Sequence, residues 1–303
     1  MRNRLFVSIL MVCGYALAAI SAHAIDHGER ILPGAMPSVF GFRMESRFLS
    51  EGGAESFCSG FAVSPRLILT AAHCLTGRKF LDRVGNGIRI GSRENGAQTY
   101  LVKRFAPHPE YRSVTGNRSL GDPEVRKAMR TDVGYLKVDR DIEPGAILPI
   151  YLSDGIAPPR ALITMPVATV GYGIDSFTEL RAAQGGHSTD SPIDLSRVHF
   201  GEKKTGMRSV DAISPEAVSL SQGEKYGALP GDSGGPMIVI ISGVPTAVAL
   251  NHLYTLRTEG SGRRRKESYG ETIGTLMTAQ NLCWVVRDSG ERIPGVKCDT
   301  TLK

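Results

Sequence analysis

The chain contains many short runs of β-forming residues, and this feature constrains its fold more than any other. Many of the runs are rich in Val, Ile, Leu, Thr or Tyr, and turn-forming Gly, Pro, Asn and Asp separate them. Repeated short strands of this kind are typical of a β sandwich or a β barrel. The predicted strands cover residues 57–63, 67–71, 87–90, 99–105, 133–138, 161–171, 237–241 and 246–253.

One helix is predicted near the end of the chain, over residues 276–287. Apolar residues recur there at helical spacing, and Asp288-Ser289-Gly290 supplies a stop. The polar stretch 176–202 carries no repeating pattern, so it is interpreted as a long surface loop.

Residues 1–24 have the three-part plan of a secretory signal peptide. A basic start with Arg2 and Arg4 precedes an apolar run over residues 5–20, and Ala22-His23-Ala24 provides a small-residue cleavage site. We therefore expect a secreted or periplasmic protein with no stable membrane span after the leader is removed. The alternative is a retained signal anchor, although the run is short for a membrane span.

The composition is that of an ordinary globular protein, with 41% hydrophobic and 22% charged residues in a chain of 303. These values argue against a disordered chain and a polytopic membrane protein. The net charge of +6 is mild, and the sequence lacks a basic stripe with interleaved aromatics, which argues against a nucleic-acid partner. A Pro-rich stretch over residues 143–159 is the candidate link between two halves, at about 25–150 and 151–303.

Four cysteines remain after removal of the leader, namely Cys58, Cys74, Cys283 and Cys298. An even number in an exported protein suggests two disulfides. Three pairings are formally possible at this point.

The stretch "LPGDSGGPM" over residues 229–237 places an acid and a serine side by side in a run of glycines. A turn needs no such pair, whereas a reactive serine needs a base, a group that orients the base, and donors for an oxyanion. Glycines beside Ser233 allow close approach of a substrate, and the N–H groups of Gly231 and Ser233 can point into one hole. "LTAAHC" ends an apolar strand at His73, and "TDVGYLKV" puts Asp132 at the head of another.

These three segments resemble those of the trypsin/chymotrypsin family of serine proteases, whose triad follows the order His, Asp, Ser on two six-stranded antiparallel β-barrels with a C-terminal helix. The resemblance implies that His73 is the general base, Asp132 orients it and Ser233 attacks. It assigns the oxyanion donors to Gly231 and Ser233. Residues 25–303 would then be one peptidase domain acting on protein or peptide substrates, with protein inhibitors as further partners and no metal or organic cofactor required.

The resemblance also selects among the disulfide pairings. The family pairs the cysteine after the catalytic histidine with one on the preceding strand, here Cys74 with Cys58. Cys283 and Cys298 then remain as a second bridge, with two free thiols as the alternative.

Other residues in the sequence compete for these roles. Asp139 and Asp141 are rival acids that lie among charged residues, and His108 and His252 are rival bases interpreted as packing or surface histidines. The G-x-S-x-G pattern also fits the nucleophile elbow of α/β-hydrolases, but that fold needs an acid and then a histidine after the serine, and the order here fails. A catalytically silent homologue that acts as a binding module is the alternative function.

The specificity pocket departs from the trypsin pattern. Gly227 stands where enzymes that cut after Arg or Lys carry an Asp, which favours a large apolar or aromatic substrate side chain. Leu229 replaces the usual pocket cysteine, so Glu224 could instead reach the pocket floor, and Asn251 and His252 are the best candidates for the pocket wall.

The run Arg263-Arg264-Arg265-Lys266 lies near the position of the pocket rim. It is interpreted as a solvated loop tip, with attraction of acidic substrates as the alternative.

In this family the acid before the nucleophile pairs with a new N-terminal ammonium group, which assigns such a partner to Asp232. Ile25 follows the signal-peptide cleavage site, and its distance from Pro37 matches the family's spacing. We therefore predict that signal peptidase creates the activating N-terminus at Ile25 without a separate propeptide. The alternatives are cleavage at Arg30-Ile31, and a short disordered or pro segment that begins at Ile25.

Overall fold

A computed structural model describes residues 28–32, 34–45, 55–76, 79–80, 83–84, 87–91, 99–112, 122–156, 159–174, 176–183, 201–221, 227–259 and 266–298. The strands, in chain order, are β1 (Glu29–Arg30), β2 (Val39–Glu45), β3 (Glu55–Ser64), β4 (Leu67–Thr70), β5 (Lys79–Phe80), β6 (Arg83–Val84), β7 (Gly87–Gly91), β8 (Thr99–Pro107), β9 (Gly134–Val138), β10 (Pro166–Gly171), β11 (Lys204–Ile213), β12 (Ala217–Ser221), β13 (Pro236–Ile241), β14 (Val244–Glu259) and β15 (Lys266–Leu276). The α-helices are α1 (Pro123–Arg130), α2 (Phe177–Ala183) and α3 (Ala279–Ser289), and short 3₁₀ helices cover Ala72–Cys74, Pro144–Ala146 and Arg160–Thr164.

The strands form two closed six-stranded antiparallel barrels, which confirms the predicted fold class. The first barrel has the order β2-β3-β4-β9-β8-β7 and closes through pairing of β2 with β7. The second has the order β11-β10-β13-β14-β15-β12 and closes through pairing of β11 with β12. Closure removes the unpaired strand edges that would otherwise invite association.

Strand β1 belongs to the second barrel although it lies at the start of the described chain. Glu29 pairs with Thr205 and Arg30 pairs with Lys204 on β11. The predicted division near residue 150 lies between β9 and β10 along the chain, whereas β1, which precedes that division, pairs with a strand of the second barrel.

The hydrophobic core has a part inside each barrel and a part between them. Phe42 and Ile68 are buried in the first barrel, and Val167 lies in the core cluster of the second. A further cluster joins the barrels and α3 through Phe61, Tyr135, Val170, Leu250 and Leu282. Because this cluster fixes one barrel against the other, residues from both can meet at a site between them.

Two disulfides brace the fold. Cys58 on β3 bonds Cys74 with an S–S distance of 1.96 Å, and Cys283 on α3 bonds Cys298 with an S–S distance of 2.09 Å. Each closes a short loop, which by loop entropy stabilises the fold by about 3 kcal/mol. The first bridge also holds the 3₁₀ turn that carries His73.

Several local predictions differ from the structure. Residues 160–164 form a 3₁₀ helix before β10, so the predicted strand over residues 161–171 is too long. Helix α3 begins three residues later than predicted because Thr278 caps it, its hydroxyl accepting a hydrogen bond from Asn281 N. Part of the predicted loop over residues 176–202 is helix α2, and residues 184–200 lie outside the described residues.

Some predictions concern residues that are not described. Residues 1–24, Ile25, Glu224 and Arg263 to Arg265 lie outside the described ranges, and Lys266 is the first residue of β15. Among the helices that are described, none is long and apolar enough to cross a membrane.

Candidate active site

His73 lies just after β4 of the first barrel, in the short 3₁₀ helix that the chain forms there. Ala72 and Cys74, on either side of His73, are buried, whereas the imidazole of His73 is 21% exposed. Its backbone N–H donates to Asp132 Oδ1 at 2.8 Å, and its Nδ1 lies 2.8 Å from Asp132 Oδ2. Both contacts fix the ring orientation, and a neutral ring with Nδ1–H facing the carboxylate leaves Nε2 free as a base.

Asp132 follows α1 and precedes β9, and its side chain is fully buried. Burial raises the pKa of this carboxyl, but the imidazoles of His73 and His252 outweigh burial and hold its pKa well below the usual range. The carboxylate therefore stays ionised, and it can stabilise a positive charge that develops on a neighbouring imidazole.

Ser233 lies in the turn that enters β13, on the second barrel. Its hydroxyl is 3.5 Å from the backbone carbonyl oxygen of His252, to which it donates. Within the described part of the chain no hydrogen bond joins Ser233 to His73. Hydrogen bonds of this kind are often long in empty sites and shorten when substrate is bound.

Ser59 is a residue whose contribution the sequence did not reveal. Its N–H donates to Ser233 O and its hydroxyl donates to Gly231 O, both at 2.8 Å, while the same hydroxyl accepts from Tyr172 N at 3.0 Å. One buried residue of the first barrel thus holds the backbone on both sides of Asp232. No motif marks Ser59, since its importance depends only on its position in β3 beside this loop.

Gly231 has a φ of +104°, which favours glycine, and a Cβ atom there would lie 2.7 Å from Gly173 Cα. A larger residue would therefore strain the loop that carries the candidate oxyanion donors.

Asp232 is fully buried, and its carboxylate lies against Gly171 and Gly173 at the end of β10. Its carboxylate accepts hydrogen bonds from Gly173 N and Leu229 N, both at 2.8 Å. Burial raises the pKa of Asp232 to about 7, while these two N–H groups and the charge of Lys204 act in the opposite direction. Lys204 is itself buried and lies opposite Gly171 on the neighbouring strand.

A cavity of about 220 Å³ opens beside Ser233. Its lining comprises Ala228, Leu229, Pro230, Ser233, Asn251, His252, Leu253 and Tyr254. Of the candidate pocket residues, Leu229, Asn251 and His252 line it, while Gly227 is buried and is not among the described lining residues.

The structure corrects the interpretation of His252 as a packing or surface histidine. Its side chain is 6% exposed, and its Nδ1 forms a short contact with Asp132 Oδ2, the same oxygen that faces His73. The two imidazole rings meet edge to face, with centroids 5.4 Å apart. No local motif predicts this contact, because it depends on the path of β14 past the first barrel.

The other rival residues lie elsewhere. Asp139 accepts a hydrogen bond from Leu101 N at 3.1 Å, and exposed Asp141 pairs with Arg66. His108 packs against the ring of Trp284, with centroids 4.7 Å apart.

Comparisons with known proteins agree with this geometry. The family model described as Trypsin matches residues 25–249. Serine protease Hayan of Drosophila melanogaster is 27% identical over 74% of this chain and 33% of its own length. Human granzyme M is 26% identical over 77% of this chain and 81% of its own length. The chain spans only about a third of Hayan and of mouse granzyme C, a further relative that matches over 34% of its length.

A solved structure described as "Structure of GrC" superposes with a TM-score of 0.52 at 18% identity, and the match covers 87% of this chain and 99% of that one. This likeness concerns the fold alone. The family match extends over most of the chain and includes the segments that carry His73, Asp132 and Ser233. This chain belongs to the trypsin family.

Proposed function

We propose that the protein is an exported serine endopeptidase that hydrolyses peptide bonds through an acyl-enzyme on Ser233. The observation that carries the proposal is the pair of hydrogen bonds from His73 to buried, ionised Asp132, next to a cavity lined by Ser233. A binding protein has no need of this combination, although a silent homologue remains the competing function.

In the proposed reaction, Ser233 Oγ attacks the substrate carbonyl carbon and its proton passes to Nε2 of His73. Asp132 stabilises the imidazolium that results. The N–H groups of Gly231 and Ser233 donate to the oxyanion, in a loop that Ser59 braces. His73 then protonates the leaving amine. In the second half of the reaction a water molecule gives a proton to His73 and attacks the acyl carbon, and Ser233 leaves as its hydroxyl takes that proton back from His73.

We also propose that a free amino group at Ile25 pairs with Asp232. Ile25 lies five residues before Arg30, and such a segment reaches about 17 Å when extended. Arg30 lies two strands from Gly171, which packs against Asp232, so the distance to be covered is about 10 Å. The position of β1 on the second barrel therefore supports this pairing.

For the substrate side chain before the cleaved bond, we propose an uncharged and mainly apolar group. Leu229, Leu253 and Ala228 line the cavity, and none of its described lining residues carries a carboxylate. Burying Arg or Lys there would leave a positive charge without a partner, which is unfavourable.

Labelling with a serine-directed phosphonylating reagent tests the chemistry. We expect mass spectrometry to locate the adduct on Ser233. Ser233→Ala should remain folded but should not be labelled, and its kcat should be lower by a factor of about 10³ to 10⁶. Ser209→Ala, which removes an exposed hydroxyl on β11, is the matched control and should label normally. A folded, correctly processed wild-type chain that is not labelled would favour the silent binding module.

Peptide p-nitroanilides that differ only in the residue before the cleaved bond test the pocket. We expect kcat/KM for Phe or Leu to exceed that for Arg, Lys or Glu by at least tenfold, because one unpaired buried charge costs more than 1.4 kcal/mol. Faster cleavage after Arg or Lys would show that an acid such as Glu224 reaches the pocket, and the proposal of an uncharged pocket would then be wrong.

A further inference from the structure

Three side chains from separate elements converge on one point at the candidate active site. His73 comes from the 3₁₀ turn after β4, Asp132 from the segment between α1 and β9, and His252 from the middle of β14. The Nδ1 atoms of both histidines face the same carboxylate oxygen, Asp132 Oδ2. One ligand atom from each residue can be chosen so that all three lie within 4.8 Å of one another.

Two imidazole nitrogens and a carboxylate oxygen form a donor set that zinc and related transition metals prefer. Tetrahedral zinc with bonds of about 2.1 Å keeps neighbouring donors about 3.4 Å apart. The Nδ1 atom of His73 is 2.8 Å from Asp132 Oδ2, so these two atoms need to separate by only about half an ångström. The side chains are thus already close to the arrangement that an ion would require.

The charge and exposure of the cluster also suit a cation. Asp132 is fully buried and His252 is 6% exposed, whereas His73 is 21% exposed. An ion can therefore approach from the side of the His73 ring and meet a buried carboxyl group. The other described cluster, Cys58, His73 and Cys74, offers no thiolate because its cysteines form a disulfide.

Occupation of this site would change the protonation of His73. A neutral His73 whose Nδ1–H faces Asp132 carries no proton on Nε2, so that nitrogen can act as a base. Coordination of a metal by Nδ1 moves the imidazole proton to Nε2, with no net release of protons from a neutral ring. Nε2 then cannot accept the proton of Ser233, and the catalytic step stops.

We propose that His73, Asp132 and His252 form a binding site for a divalent transition-metal ion and that the ion switches the enzyme off. The inhibition rests on the proposed function, whereas binding of the ion does not require catalysis. The metal is an inhibitor of the site here, not a cofactor for the reaction.

Isothermal titration calorimetry with zinc tests the site in untagged, full-length mature protein that carries Ser233→Ala. We expect one zinc ion per chain, and His252→Gln in the same background should weaken the affinity at least tenfold. His108→Gln, which changes a buried histidine outside the cluster, is the matched control and should bind zinc as before. Absence of zinc binding, or an affinity that His252→Gln leaves unchanged, would overturn the proposal.

Two further measurements keep the test decisive. Cobalt(II) added to the Ser233→Ala protein should give the visible absorption of a low-coordinate nitrogen and oxygen site, and its absence would overturn the site even if His252→Gln failed to fold. Zinc should lower peptide turnover by the wild-type chain, and EDTA should restore it. Zinc that binds but leaves turnover unchanged would overturn the inhibition, whereas a wild-type chain without any turnover would contradict the proposed function and leave calorimetry to decide the metal site.

Discussion

At the residue scale, Asp232 has the most demanding environment of the candidate site. Its carboxylate is fully buried, and two backbone N–H groups together with the charge of Lys204 compensate only part of its desolvation, so its pKa rises to about 7. A carboxyl in this state needs a further positive partner to remain ionised at neutral pH. The proposed ammonium group of Ile25 would be that partner.

The raised pKa of Asp232 predicts a pH-dependent stability in a chain that starts one residue before Ile25. The folded carboxyl holds its proton more tightly than the unfolded one, so this contribution to stability is complete below the ordinary value of about 3.8 and is lost as the pH rises through about 7. Between pH 5 and pH 8 we expect the free energy of unfolding to fall by about 3 kcal/mol from this group, measured by urea denaturation.

Asp232→Asn in the same extended chain is the matched control, since it keeps the shape of the side chain and removes its titration. The loss of stability between pH 5 and pH 8 should therefore occur in the chain with Asp232 and be absent from the Asn variant. If both proteins changed equally between pH 5 and pH 8, another group would be responsible and Asp232 would already have a sufficient partner.

The candidate catalytic residues were predicted from sequence because each lies in a recognisable local motif. His73, Asp132 and Ser233 each lie in such a motif, and the structure brings His73 and Asp132 into direct contact. Ser59 escaped prediction, and His252 was predicted only for the pocket wall and as a rival base, without its contact with Asp132. Each acts through a neighbour that is distant in sequence, and only the pairing of strands determines that neighbour.

At the element scale, dependence on partners that are distant in sequence also explains which strands were not predicted. The strands found from sequence, such as β3, β4 and β13, are rich in apolar residues and are buried along most of their described length. Strand β11 alternates buried and exposed residues irregularly, and β15 carries Gly, Thr and Glu among its apolar residues. Such segments become strands because partners on both sides supply hydrogen bonds, which is a tertiary effect.

Helix α3 shows how a boundary depends on context. Apolar spacing continues back to Leu276, but that residue pairs with Ala249 as the last residue of β15. The cap at Thr278 then starts the helix, and Gly290, with a φ of +72°, ends it where the sequence predicted a stop. Periodicity located the helix, whereas the strand pairing of Leu276 set its first residue.

At the scale of the whole molecule, the chain ties its two barrels together at both ends of the described sequence. Strand β1 pairs with the second barrel before the chain builds the first, and α3 returns from the second barrel to the first through Asp288, which accepts a hydrogen bond from the hydroxyl of Tyr135. The candidate site lies where the barrels meet, so its geometry depends on both connections. In the proposed function, cleavage before Ile25 would add an ion pair with Asp232 to the N-terminal connection.

The position of the N-terminus should therefore decide whether the enzyme is active. We expect a mature chain that starts at Ile25 to exceed one with a single added alanine by at least tenfold in kcat/KM. In the proposed mechanism, a free ammonium group at Ile25 pairs with Asp232 and sets the loop of Gly231 and Ser233, and an added alanine removes that group from Ile25. Both chains should bind zinc at His73, Asp132 and His252, which shows that any loss concerns the oxyanion loop and not the histidines. Equal activity of the two chains, or an active secreted form whose sequenced N-terminus is Ile31, would contradict activation at Ile25.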